Sequence, residues 1–249
     1  NCTGLASITV DDGNAVYDSR ENYNTIIEKE TNSLISGCKN TTIPNSVTSI
    51  GEAAFYKCTG LTSINIPNSV TSIGYEAFYG CTGLTSITIP ASVTAIDEKA
   101  FGGCVKLFEV INLSALTVTA GDTANGELAF WAKDVYNTTN VASKLSTDEN
   151  GFVFYNDGEV NYLLTYAGGK TGIVLPEQTD GAYVFYPNAF NGYIESVVIP
   201  ASVKTFSNNL FGEAKTLTAV YFEGNEAAWS EVTLGEGNEV WNGLVLFYS

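Results

Sequence analysis

Histidine is absent from the 249-residue chain, and basic residues of any kind are scarce. Without histidine, the chain cannot form a Ser-His-Asp or Cys-His catalytic site or a histidine-ligated metal site. Eleven Lys and Arg stand against 27 Asp and Glu, which gives a formal charge of −16. So acidic a surface argues against binding to nucleic-acid phosphates or anionic lipid. No stretch approaches the ~18 uninterrupted apolar residues of a membrane span, so direct membrane insertion is not expected.

Methionine is also absent, and the chain does not open with the charged and apolar pattern of a signal peptide. We therefore expect a processed or truncated piece of a longer product. The five cysteines form no C-x-x-C pair of the kind found in zinc and redox sites. No glycine-rich nucleotide motif occurs, and no cofactor or metal site is predicted.

The sequence contains a gapless repeat of 23 residues. Pro44, Pro67 and Pro90 are 23 residues apart. The same interval separates Phe55, Phe78 and Phe101, and also Cys58, Cys81 and Cys104. A fixed period of about 20 to 50 residues is typical of solenoids and propellers, and the L-x-x-I-x-I pattern within it is typical of leucine-rich repeats.

One repeat predicts a short strand, a second extended segment and a closing turn. Leu61, Ile64 and Ile66 alternate with polar residues, which predicts a strand with one buried face. Val70 and Ile73 form a second buried pair. A single repeat cannot bury this face alone, but stacked neighbours can. Phenylalanine in the turn is then the large core side chain, and the repeated cysteines are predicted to form a buried ladder without disulfides.

These repeats, written C-T-G-L-T-S-I-x-I-P-x-S-V-T-x-I-G-x-x-A-F, resemble the BspA-like bacterial leucine-rich repeats, a family of surface proteins. The resemblance is direct over residues 38–113, and fainter copies extend it towards both ends. It implies a strand-dominated leucine-rich repeat solenoid of the α/β type with repeats of about 23 residues. It also implies an extracellular or cell-surface location and adhesion to host extracellular-matrix proteins, such as fibronectin or fibrinogen, or to other bacteria.

Residues 1–249 are predicted to form a single solenoid with three sub-regions. Residues 1–113 hold regular repeats with a β-hairpin inserted at 14–37. Residues 114–175 form an irregular insertion with a helix over residues 127–136 and a hairpin that turns at residues 156–158. Residues 176–249 hold further repeats and a C-terminal cap with a short helix after Asn225. A domain boundary near residue 140 is the alternative to a single solenoid.

Binding is expected at the outward positions of the repeat strands, because these can vary without disturbing the core. By alternation, the candidate positions are Ser63, Asn65, Ser86, Thr88, Glu109, Ile111, Ser196, Val198 and Tyr221. The first half of this set is rich in hydroxyl groups, and a sheet that merely faces solvent would have the same composition. The second half is more apolar. Tyr155, Tyr162 and Tyr166 in the second hairpin are further contact candidates, unless they pack on the solenoid.

The predicted function is that of a non-enzymatic cell-surface or secreted module that binds another protein. One alternative is a structural spacer within a larger surface protein, which requires an inert face. Another is a carbohydrate-binding module, which requires exposed aromatic side chains beside convergent carboxylates. The carboxylates of a possible cluster are interpreted as a solvated rim rather than a glycosidase pair; they are Asp11, Asp12, Glu52, Glu76, Asp97 and Glu98.

Overall fold

A computed structural model describes residues 5–20, 23–179, 181–190, 194–212, 214, 216–238 and 244–248. The chain divides into two compact units, unit 1 (Asn1–Ser143) and unit 2 (Lys144–Ser249). The division lies near residue 140, the position of the alternative boundary, and a single solenoid over all 249 residues stays a prediction. Within the described ranges, no helix combines the length and apolar character needed to cross a membrane.

Short strands dominate both units. In unit 1 they are β1 (Tyr17–Asp18), β2 (Thr25–Glu28), β3 (Ser33–Gly37), β4 (Ser49–Ile50), β5 (Ser72–Ile73), β6 (Ser86–Ile89), β7 (Ala95–Ile96), β8 (Glu109–Asn112) and β9 (Asp134–Tyr136), with the helical segment α1 (Ala124–Glu127). In unit 2 they are β10 (Leu145–Thr147), β11 (Phe152–Asn156), β12 (Asn161–Tyr166), β13 (Gly172–Val174), β14 (Val184–Phe185), β15 (Ser196–Ile199), β16 (Ala219–Glu223) and β17 (Val245–Tyr248), with α2 (Glu226–Trp229).

Unit 1 is a coil of stacked repeats with two ladders of strands. One sheet has the order β1-β2-β3-β4-β5-β7 and the other the order β6-β8-β9. In the first sheet, Ser49 is in register with Ser72 and Ser72 with Ala95, in parallel strands. Each 23-residue repeat thus adds one strand to this ladder, which is how a solenoid grows.

The strand predicted over residues 61–66 is wrong, since these residues pair with no strand. Leu61 and Ile66 are nevertheless buried, and Ile64 packs partly buried against the same core. The alternation of buried and exposed side chains is therefore present without the backbone hydrogen bonds of a ladder.

The core of unit 1 is a column of identical side chains. The ring centroids of Phe55 and Phe78 are 5.0 Å apart with an interplanar angle of 4°, and those of Phe78 and Phe101 are 5.1 Å apart at 9°. Beside them, the Cys81 thiol donates to the Phe55 carbonyl over 3.1 Å. Cys104 donates in the same way to the Phe78 carbonyl over 3.2 Å. The predicted ladder of buried cysteines without disulfide bonds is confirmed at positions 58, 81 and 104.

Burial also makes these thiols unreactive. Desolvation raises the pKa of the Cys81 thiol well above its ordinary value and that of Cys104 to about 12. The thiolate is the reactive form of cysteine, so the folded chain keeps both side chains protonated and inert at neutral pH.

The turn before each core phenylalanine of unit 1 is left-handed. Ala53, Glu76 and Lys99 have φ angles of 53°, 52° and 57°, which residues with a Cβ seldom adopt. The bond from the Phe78 amide to the Ala100 carbonyl, 2.7 Å long, joins one turn to the next. Contacts between repeats therefore hold a backbone shape that the individual residues disfavour.

The first predicted hairpin is confirmed. Strands β2 and β3 are antiparallel, with Ile26 opposite Ser36, around a turn over residues 29–32. Strand β3 then pairs in parallel with β4, so the inserted hairpin extends the sheet of the repeats.

The helix predicted over residues 127–136 is wrong. The segment α1 ends at Glu127 and contains left-handed φ angles at Asn125 and Gly126, while residues 134–136 form β9. The physical reason is repeat packing: Leu128, Ala129 and Ala132 are buried in the core that the repeats share. Their spacing matches one face of a helix, but it equally matches one more turn of the coil.

Unit 2 combines the second predicted hairpin with further repeats. Strands β11 and β12 are antiparallel, as predicted, and β10 adds a third strand. Strands β13, β15, β16 and β17 form a parallel sheet in that order. The predicted cap helix is α2, where the Asn225 side chain accepts from the Ala228 amide over 2.9 Å. Trp229 on α2 packs against Phe222 and Phe206 in this core, and its role as a cap stays a prediction.

Candidate binding surfaces

The candidate residues of unit 1 lie on a face that is mostly small and polar. Ser63 and Asn65 are exposed in the segment without strand pairing. Ser86 and Thr88 on β6 are half-buried, and Thr88 lies in register with Ile111 on β8. These hydroxyl and amide groups can hydrogen-bond to water, and Ile111 is the one large apolar side chain among these five residues.

Glu109 does not belong to this exposed face, which corrects its predicted outward position. Its side chain is only 3% exposed. The Ser143 hydroxyl donates to the Glu109 Oε2 over 2.6 Å, so the chain that follows β9 lies against this carboxylate. Alternation along β8 predicts which face Glu109 is on, but it cannot predict that a segment 34 residues further on lies against that face.

The parallel sheet of unit 2 carries an apolar row. Val174 on β13, Val198 on β15 and Tyr221 on β16 are in direct register. Val174 is 59% exposed, and Val198 and Tyr221 are half-buried. Val198 and Tyr221 were predicted candidates, and Val174 was not, because its strand follows the second hairpin with no repeat consensus before it. We name Val174, Val198 and Tyr221 the apolar row.

A second row of small residues runs beside the apolar row. Gly172, Ser196 and Ala219 are in register two residues earlier on the same strands. Because successive side chains on one face of a strand are two residues apart, both rows lie on one face. The row of Gly172, Ser196 and Ala219 therefore forms a shallow open strip, and the large side chains of the apolar row lie along its edge.

Unit 2, which carries this sheet, is strongly acidic in sequence. Unit 2 contains 13 Asp and Glu against four Lys, a formal charge of −9. Glu223 lies at the end of β16, two residues after Tyr221, and Glu226 opens the cap helix α2. From residue 216 to the end of the chain there is no basic residue. The net charge of the unit therefore favours a cationic partner.

The tyrosines of the second hairpin are mainly structural. Tyr155 is 3% exposed, so its prediction as a contact residue is wrong. Tyr166 packs on Phe152 with ring centroids 5.1 Å apart, and Tyr162 packs edge-on against Tyr186. The hairpin uses its aromatic rings to attach to the unit 2 core, an outcome that the sequence left open.

The exposed aromatic pair of unit 1 was not found by sequence reasoning. Phe130 and Trp131 are each 39% exposed and pack edge to face, with centroids 5.1 Å apart. The helix predicted over residues 127–136 was the cause. The expected positions of both rings followed the period of a helix, whereas their actual positions follow the repeat.

No cluster of metal-binding character is found in the described part of the chain: no three Cys, Asp or Glu side chains there are placed to share an ion. The Asp157 carboxylate, a predicted turn residue, accepts from the amides of Glu159 and Val160 over 2.9 and 2.7 Å. These hydrogen bonds lower the pKa of Asp157. These hydrogen bonds stabilise the hairpin turn in which Asp157 was predicted to lie.

Comparison with known proteins identifies the repeat. A family model described as "BspA type Leucine rich repeat region" matches residues 22–145 and 175–231 in six copies. No curated protein sequence matches the chain.

Several solved bacterial proteins are similar at low sequence identity. A leucine-rich repeat protein of T. pallidum is 20% identical over 86% of this chain and 83% of its own, with a TM-score of 0.32. A leucine-rich cell surface protein of Faecalibacterium prausnitzii is 17% identical over 78% of this chain and 81% of its own, with a TM-score of 0.24. The pneumococcal vaccine antigen PcpA is 14% identical over 97% of this chain, which spans only 48% of PcpA, with a TM-score of 0.38.

Proposed function

The chain belongs to the BspA-type leucine-rich repeat family, and on that premise we propose that it is a non-enzymatic module that binds another protein outside the cell or at its surface. The resemblance of its repeats to a family of surface proteins supports the location. The apolar row of unit 2 carries the proposal of binding, since partly exposed apolar side chains in register on a sheet are typical of interaction surfaces.

The partner that fits this surface is a protein segment with apolar side chains flanked by Lys or Arg. The apolar side chains pack on the apolar row and along the open strip of small residues. The basic side chains face the carboxylates of unit 2, whose formal charge is −9. Such charge complementarity mainly accelerates association and selects the partner, while the apolar contacts supply the affinity.

Binding to immobilised fibronectin and fibrinogen, measured by surface plasmon resonance at low and high salt, tests this proposal. We expect saturable binding that weakens with salt, because opposite charges are screened. The double variant Val174→Asp with Val198→Asp should weaken binding by ~10-fold or more, since it places charge where apolar side chains must desolvate.

The matched control is Ser86→Asp with Thr88→Asp, which adds the same two charges on β6 of unit 1. This control should bind as the unmodified chain does. Equal loss in both variants contradicts the assignment of the surface to unit 2. Absence of saturable binding to either protein contradicts matrix adhesion and favours the structural spacer.

A further inference from the structure

A cavity of ≈ 480 Å³, open to solvent on one side, lies in unit 1 between the inserted hairpin and the repeat that contains Pro44. Asp18, Arg20 and Tyr23 line it from the hairpin side, and the turn Pro44–Asn45–Ser46 lines it from the repeat side. Its volume is within the ~300–1,000 Å³ of sites for small molecules. None of these residues belongs to the surface proposed above, so the two proposals succeed or fail separately.

Hydrogen bonds hold the two sides of the cavity together. The Thr42 amide donates to the Tyr23 carbonyl over 3.1 Å. The Arg20 guanidinium crosses the gap, with its Nη1 donating to the Ser46 hydroxyl over 2.5 Å. The cavity is therefore preformed in the folded chain, which reduces the entropic cost of binding.

Arg20 is fixed in an unfavourable backbone conformation. Its φ angle is 38°, in the left-handed region where a side chain carries a steric penalty. Its Nε donates to the Asp18 carboxylate over 3.1 Å, and its Nη2 donates to the Asn32 Oδ1 over 2.6 Å. Three side-chain partners thus orient the guanidinium at the cavity.

Other polar groups in the cavity have no partner among the described residues. They are the second carboxylate oxygen of Asp18, the Tyr23 hydroxyl and the Asn45 side-chain amide. Together they offer an acceptor, a hydroxyl and an amide that both donates and accepts, next to an aromatic ring.

From this arrangement we infer that the cavity binds a neutral pyranose sugar. Each sugar hydroxyl both donates and accepts, which matches the mixed set of carboxylate, guanidinium and amide. The C–H face of a pyranose ring is apolar and packs on an aromatic ring such as Tyr23. An anionic ligand fits poorly, because Asp18 neutralises Arg20 and unit 1 contains 14 Asp and Glu against seven Lys and Arg.

The repeat supplies an internal comparison for this site. Pro67–Asn68–Ser69 has the same tripeptide as Pro44–Asn45–Ser46, one repeat later. At the first copy, Ser46 accepts from Arg20, whereas the buried Ser69 hydroxyl has no hydrogen-bond partner among the described residues. The inserted hairpin, rather than the tripeptide, therefore makes the binding site.

Saturation-transfer NMR on the full chain, with methyl glycosides of glucose, galactose, mannose, N-acetylglucosamine and glucuronic acid, tests the inference. At least one neutral glycoside should give saturable binding. Tyr23→Ala should raise its Kd by ~10-fold or more, and Asn45→Ala should raise it several-fold. Asn68→Ala, the matched change one repeat later, should leave the Kd unchanged. If Tyr23→Ala fails to fold by circular dichroism, Asn45→Ala and Asn45→Asp carry the test.

Three results overturn the inference. The first is the absence of saturation by every glycoside up to about 20 mM, well above the affinities of useful sites. The second is binding of the glucuronide alone, which indicates an anion site. The third is an equal loss of binding in Asn45→Ala and Asn68→Ala, which places the sugar elsewhere.

Discussion

The two units fill the core of the same repeat in different ways. In unit 1, the interplanar angles of the Phe55, Phe78 and Phe101 column are 4° and 9°. In unit 2, the pair Phe190 and Phe211 is tilted by 22°, and Phe185 meets Tyr183 at 89°. Identical residues in consecutive repeats have identical surroundings, so their rings stack in parallel. Where the repeats have diverged, the core rings still stack but at larger angles, and edge contacts are added, so the fold requires buried aromatic volume but not nearly parallel rings.

The two units also differ in the left-handed residue of the turn before the core phenylalanine, and here unit 2 has the more favourable residue type. Unit 2 has asparagine there, at Asn188 and Asn209, with φ angles of 55° and 51°. Asparagine tolerates this conformation better than other residues with a side chain. Unit 1 has Ala, Glu and Lys at the equivalent positions. The more regular unit therefore carries the less favourable turn residues.

The largest expected effect comes from breaking the column of unit 1 at its centre. Phe78→Ala removes a fully buried ring that stacks on two others, and it should lower the free energy of unfolding by about 3–5 kcal/mol. Hydrogen exchange resolved by peptide should place the loss in residues 1–143. Tyr79→Ala is the control, because Tyr79 also stacks, at 5.5 Å from Tyr56, but is half-exposed. An equally large loss for Tyr79→Ala would show that stacking, rather than burial, supplies the stability.

A smaller effect is expected from changing Lys106, which lies two residues after Cys104. The two units have different residues at this position of the repeat. Unit 1 has Gly60, Gly83 and then Lys106, which is fully buried. Unit 2 has Thr216, whose hydroxyl donates to the Ile194 carbonyl over 3.0 Å. Desolvation lowers the pKa of Lys106 from 10.5 to about 7. Between these pH values, the unfolded chain binds a proton that the folded chain lacks, so the free energy of unfolding rises with pH.

Lys106→Met should remove this rise and stabilise the chain by ~2 kcal/mol at pH 6, because it keeps the buried stem without the charge. Urea denaturation at several pH values between 6 and 9.5 measures both quantities. Lys99→Met, at a half-buried lysine, controls for the loss of a positive charge. An unchanged slope in Lys106→Met would refute the assignment of the pH dependence to this residue.

The smallest effect is expected when the asparagine found in the left-handed turns of unit 2 is placed in a turn of unit 1. Ala53 is exposed with a φ of 53°, so Ala53→Asn should raise the free energy of unfolding by about 0.5–1 kcal/mol. The reverse change, Asn209→Ala, should lower it by a similar amount. Thermal and urea denaturation measure both. A stabilising effect of Asn209→Ala would show that backbone strain does not distinguish the two units.

Sequence reasoning predicted those parts of the fold in which a residue type recurs at a fixed interval. Phe78 and Cys81 recur, so their burial in columns follows from the period alone. The turn between β2 and β3 was accessible for a different reason, since a polar turn between two apolar runs is a local signal. The helix over 127–136 was wrong because Leu128 and Ala132 fit two periodicities, and only packing against the preceding repeat distinguishes them.

The candidate surfaces were less predictable, because they depend on contacts between distant residues. Alternation located Val198 and Tyr221 correctly on one face, but whether they bind a partner stays a prediction. It could not show that Ser143 lies against Glu109. The cavity at Arg20 left no signal, since Arg20 and Ser46 are 26 residues apart and share no repeat position. The repeat period predicts which residues stack and carries no information on where inserted segments fold back.

The bonds between turns in unit 1 have a consequence for how such a chain can change in length. The Phe55 amide donates a hydrogen bond to the Ala77 carbonyl, and the Phe78 amide donates one to the Ala100 carbonyl. Both are 2.7 Å long. Deleting residues 59–81 would join Cys58 to Thr82 and restore the same C-T-G-L sequence and the same neighbours. A gene encoding this unit can therefore gain or lose 23 codons through recombination between near-identical segments without creating a new junction in the core.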